Sequence, residues 1–71
     1  MTTKINYVIG DESVPVEDIT GIDYAFGFVQ LQMRGGERRE YRLGNAIAAA
    51  QEYNLITAVM KAAGIEVKGL S

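Results

Sequence analysis

Arg34, Arg38, Arg39 and Arg42, interrupted by Glu37 and Glu40, form the densest charge in the chain. Side chains alternate along a strand, so Arg38 and Arg42 share one face while Arg39 joins Tyr41 and Leu43 on the other. A preceding run places Phe28, Gln30, Gln32 and Arg34 together on one face. Cations, amides and a ring in one patch can grip phosphates or single-stranded nucleic acid. The same mixture also describes an ordinary solvated sheet face, part of it neutralised by Glu37 and Glu40, and nucleic-acid footprints are usually far more basic.

Glu52 is the second residue with a claim to chemistry, because it projects from the apolar stripe of a helix. A carboxylate there is costly unless it lies at the stripe's edge or finds a partner, for which an arginine of the charged strand is the nearest choice. A catalytic carboxylate would need a second acid, a base or a metal beside it, and the sequence supplies no such set. Histidine and cysteine are absent, which removes the commonest zinc ligands, any disulfide, and the base that would activate Ser13 or Ser71. The Gly35-Gly36 pair lacks the spaced glycines, lysine and hydroxyl of a phosphate loop and joins two strands instead of a strand and a helix. Tyr7, Tyr24, Tyr41 and Tyr53 read as core and rim residues, an exposed pair of which would make a contact patch. No catalytic residue, cofactor or metal is expected.

The 71 residues make one small domain, a size at which stability is marginal and self-association helps. The net charge of −2 is unevenly spread: Asp11, Glu12, Glu17, Asp18 and Asp23 make the first third acidic, and the arginines make the middle basic. No apolar run approaches the roughly 18 residues of a membrane span, and Met1 to Asn6 lacks the apolar centre of a signal peptide. A cytoplasmic protein with no membrane attachment is expected.

These residues must be carried by strands and a helix. Ile5, Tyr7 and Ile9 alternate over a short strand from Lys4 to Ile9, followed by a turn at Gly10 to Ser13. Val14-Pro15-Val16 suits a sheet edge or a loop, since proline has no N–H for a ladder, and Glu17-Asp18-Ile19 fits a single helical turn. Ile22, Tyr24 and Phe26 share a face of the next strand, and Gly27 marks a bend or bulge. Val29, Leu31 and Met33 then form the dry face of a strand whose other face is wet.

Parity constrains the hairpin that follows. A two-residue Gly35-Gly36 loop would set Val29 opposite Arg42 and Leu31 opposite Glu40, mixing apolar and charged side chains, so the loop must be odd. A three-residue Arg34-Gly35-Gly36 loop sets Val29 opposite Tyr41 and Gln30 opposite Glu40. A Gly35-Gly36-Glu37 loop sets Val29 opposite Leu43 and buries better, but asks Glu37 for a left-handed backbone. Both remain open at this level.

Asn45 is a good N-cap, Ala46 to Ala63 is rich in helix formers, and Gly64 suits the position just past the end. Steps of 100° place Ala48, Ala49, Tyr53, Leu55, Ile56, Val59, Met60, Ala62 and Ala63 on one arc, with Gln51, Asn54, Thr57 and Lys61 opposite. Ile47, Ala50, Thr57 and Ala58 lie off that arc on a thin side where a second helix could pack, most simply from another copy. Ile65 to Ser71 reads as a last strand or a frayed tail.

From Val14 to Ala63 the order of elements resembles the C-terminal half of bacterial pleckstrin-homology-like domains. Val14-Pro15-Val16-Glu17-Asp18-Ile19-Thr20-Gly21-Ile22 looks like their entry into a strand, followed by a Gly-Gly hairpin, a strand ending Tyr41-Arg42-Leu43, and a capping helix. Those domains have seven strands before the helix and this chain has room for four or five, so one copy cannot close their barrel. The resemblance implies an interaction platform without an active site.

The expected fold is α+β: an antiparallel sheet of about four strands with one long C-terminal helix on one face. The expected function is that of a noncatalytic interaction or regulatory protein, an inhibitor or adaptor of a larger protein machine such as phages and mobile elements encode. A homodimer is the expected state, because a small half-open sheet leaves edges for a second copy to cover. The alternative is a phosphate-ligand or nucleic-acid-binding module that uses the arginine face.

Overall fold

A computed structural model of the chain describes residues 5–70; Lys4 and Ser71 lie outside the described residues. The elements run β1 (Asn6–Ile9), β2 (Glu12–Pro15), a 3-10 turn (Val16–Asp18), β3 (Ile19–Ala25), β4 (Phe28–Met33), β5 (Arg38–Arg42) and α1 (Ala46–Ala62). The class is α+β, but the described residues form five strands rather than about four, and they belong to two antiparallel sheets. β1 and β2 make a separate hairpin, with Asn6 opposite Pro15. β3, β4 and β5 make a three-stranded meander. The sheets part at Pro15, which ends its strand, and the 3-10 turn then redirects the chain.

The meander follows from the alternation. Ile22, Val29, Leu31 and Met33 face inward and are buried. Thr20 is the extra residue of a β-bulge between Ile19 and Gly21, and its hydroxyl donates to the Gln32 carbonyl at 3.1 Å. Between β4 and β5, Val29 stands opposite Tyr41 and Gln30 opposite Glu40, the register of the Arg34-Gly35-Gly36 loop. Gly35 and Gly36 both take left-handed angles, φ 95° and 94°, which spares Glu37 the strain that the better-burying register required. The Met33 N–H donates to the Glu37 carbonyl at 2.6 Å and closes the loop.

α1 begins at Asn45, whose Oδ1 accepts from the Ala48 N–H at 2.7 Å, and ends where Gly64 takes φ 79°. It packs across β3 and β4 and reaches β1 and the 3-10 turn. Ala49, Ile56 and Met60 interlock there with Ile9, Val14, Val16, Ile19, Ile22 and Leu31. Each large side chain among them contributes roughly 1.5–3 kcal/mol by leaving water. The helix is turned relative to the expected arc. Thr57 is buried, with 6% of its surface exposed, and Leu55 is 57% exposed. Thr57 can face the core because its hydroxyl donates to the carbonyls of Tyr53 and Asn54 at 2.8 and 3.1 Å, inside its own helix.

After the helix the described chain, up to Leu70, forms neither a strand nor a loose end. It lies irregularly along the outer edge of β3, where the Ile22 N–H donates to the Lys68 carbonyl at 2.8 Å. The Gly69 carbonyl oxygen rests so close to Gly21 that a Cβ there would meet it at 2.9 Å, so only glycine admits the tail.

Candidate functional site

The outward face of the meander carries part of the expected patch. The register aligns Gly21, Gln32 and Arg38 in one row, Asp23, Gln30 and Glu40 in the next, and Ala25, Phe28 and Arg42 in the third. Arg42 sits over the Phe28 ring, 5.4 Å from its centroid, and the Gln30 amide donates to Glu40 at 2.9 Å. Phe28, Gln30, Gln32, Arg38 and Arg42 are therefore brought together. Asp23 and Glu40 stand among them, so the two cations are matched by two anions on that face.

The other predicted residues go elsewhere. Arg34 turns back to the 3-10 turn, donating to the Glu17 carbonyl at 3.0 Å with Asp18 3.9 Å away. Arg39 faces inward with Tyr41, as its parity requires, and lies 3.3 Å from Glu37 and 3.7 Å from Glu12. The Tyr41 hydroxyl donates to the same Glu12 carboxylate at 2.8 Å. Burial pushes the Tyr41 phenol up, Glu12 pushes it further, and Arg39 pulls it back. The group borders a shallow depression beside β5 lined also by Glu37 and Glu40.

Glu52 neither overhangs the rim nor meets an arginine. It accepts a hydrogen bond from the Tyr7 hydroxyl at 2.6 Å, across the seam between α1 and β1. The Tyr7 phenol is pushed up to about 12, first by burial and then by this carboxylate, which would repel a phenolate. Its role is a tie between elements.

The feature that sequence reasoning did not assemble is an aromatic end centred on Phe26. Ala25 pairs with Phe28, which leaves Phe26 and Gly27 as a two-residue hairpin turn. Such turns need a left-handed first residue, and Phe26 takes it, at φ 56°, while 84% of its surface is exposed. A bulky residue at that angle carries strain of about 1–2 kcal/mol. Beside it the exposed Tyr24 ring meets Tyr53 of α1 at 4.6 Å between centroids. Gly27 abuts Asn45, so the first turn of α1 lies at this end too, with Ile47 72% exposed. Gly27 marks the bend in the sequence, although Phe26 carries the positive φ, and a tyrosine pair of the kind expected to make a contact patch is supplied by Tyr24 and Tyr53.

The thin side of α1 keeps Ile47 and Ala58 exposed and Ala50 half-buried, but Thr57 is withdrawn into the core. Among the described residues, no group of three or more acids could hold a metal ion, and every buried side-chain polar atom has a partner. Among the described residues no helix is long and apolar enough to cross a membrane. No protein-family model, curated protein or solved structure matches the chain.

Proposed function

We propose that this chain is a noncatalytic interaction protein, a small adaptor or inhibitor that docks on a larger protein through its aromatic end. Phe26 carries the reading: glycine would relieve the strain at that position, yet a ring is held out in water there. Exposed aromatic residues grouped with apolar neighbours mark contact sites, because burying them releases much apolar surface at small conformational cost. Tyr24 and Tyr53 supply the neighbours. The resemblance in element order to a family of interaction platforms supports the same class. A phosphate or nucleic-acid partner would instead have to use the outward sheet face, where Asp23 and Glu40 offset Arg38 and Arg42.

Phe26→Gly tests the reading, because binding and folding should move in opposite directions. The variant should gain about 1 kcal/mol in urea unfolding as the strain is relieved. Used to capture protein from a lysate of the native host, it should retain the wild-type chain's specific partner at least tenfold less (about 1.4 kcal/mol). Equal capture by the two chains would overturn the reading.

A further inference from the structure

The two edges of the meander are not equivalent. The C-terminal tail covers β3, through the bond from Ile22 to Lys68 and the seat of Gly69 on Gly21. Among the described residues, β5 pairs with β4 alone. The bonds Met33 N–H to Glu37 and Leu43 N–H to Gly27 fix the phase of that ladder. Odd-numbered residues of β5 therefore bond to β4, and the main-chain groups of Glu40 and Arg42 point away from it. Two shallow depressions flank this edge.

We infer that the β5 edge is where a second copy of the chain docks, antiparallel, with the two-fold axis at Tyr41. Charge selects both the occupant and the register. With the axis at Glu40, Glu40 would face Glu40 of the second copy and Arg38 would face Arg42. With the axis at Arg39, two Arg39 side chains would meet. Among axes on the residues of β5, only the one at Tyr41 avoids like charges: Glu40 faces Arg42 of the second copy twice over, the two Tyr41 rings adjoin, and Arg39 lies beside Leu43. About four main-chain hydrogen bonds close the seam, and opposite charges directly across a ladder are the favourable arrangement. The result is one continuous six-stranded sheet whose outer edges are the two tail-covered β3 strands.

Sedimentation of Glu40→Arg, Arg42→Glu, their mixture and the double variant tests this pairing. Both side chains are exposed, so circular dichroism should remain that of the wild type. The wild-type chain should dimerise, and either single change should weaken the dimer at least about tenfold by setting like charges opposite each other twice. Mixing the two single variants should restore a dimer, since at both crossings an arginine of one chain then meets a glutamate of the other. The double variant should self-associate for the same reason. A wild-type chain that stays monomeric through its soluble range would overturn the inference, as would single variants that dimerise normally. Tighter dimerisation of Arg42→Glu would also overturn it, because that outcome belongs to the axis at Glu40. Phe26→Gly should leave the dimer intact, so this test and that of the aromatic end fail separately.

Discussion

Tyr7 and Tyr41 each donate a phenolic proton to a glutamate, at 2.6 and 2.8 Å, and each bond ties the β1–β2 hairpin to the rest of the molecule. Their surroundings differ. The Tyr7–Glu52 contact sits in the seam between β1 and α1 on half-buried groups, and burial and the carboxylate act on the phenol in the same direction. The Tyr41–Glu12 contact lies at the rim, where Arg39 offsets part of what Glu12 does and water reaches the carboxylate. The same pair of side chains is thus a structural clasp in one place and a solvated network in the other. What separates them is how far each carboxylate has been taken from water and whether a cation has come with it.

Removing the two hydroxyls should expose that difference. Tyr7→Phe leaves Glu52 half-buried without its donor and should cost about 1–3 kcal/mol in urea unfolding. Adding Glu52→Leu should recover much of the loss, because the stranded carboxylate goes with it. A neutral Tyr7→Phe would show that the clasp is idle.

Alkaline pH should act on the same contact more gradually. The Tyr7 phenol is raised from 10 to about 12, so the folded state holds this proton more tightly than the unfolded chain does. The contribution is complete below pH 10 and is lost as pH rises towards 12. Thermal midpoints across that window should fall more steeply for the wild-type chain than for Tyr7→Phe. Parallel curves would mean that Tyr7 titrates normally.

The smallest effect is expected at the rim. Tyr41→Phe should change stability by no more than about 1 kcal/mol, since Glu12 keeps both Arg39 and water. If this loss matched that of Tyr7→Phe in the same unfolding series, the contrast between the two contacts would collapse.

Much of the local structure was legible because it depends on short-range rules. Asn45 and Gly64 bound the helix through groups that any helix end must satisfy, and the glycine pair with the parity of Val29, Leu31 and Tyr41 narrowed the hairpin to odd loops. The candidate site was legible only in part. Parity placed Arg38 and Arg42 on one face and Arg39 on the other, but Arg34 left the strand for the 3-10 turn, and Glu52 found a tyrosine from an element forty-five residues away. Position along a strand could not reveal either partner.

The sequence by itself determined the repertoire: no histidine, no cysteine, one capped helix, alternating strands and a divided charge. These are properties of composition and of neighbours along the chain. The tertiary structure decided which carboxylate meets which tyrosine, that Thr57 rather than Leu55 enters the core, that the tail covers β3 and that, among the described residues, β5 pairs with β4 alone. It also placed Phe26, and not Gly27, at the strained corner of its turn. Each of these outcomes is a choice among partners with similar local preferences, and only the packing of distant elements separates their energies.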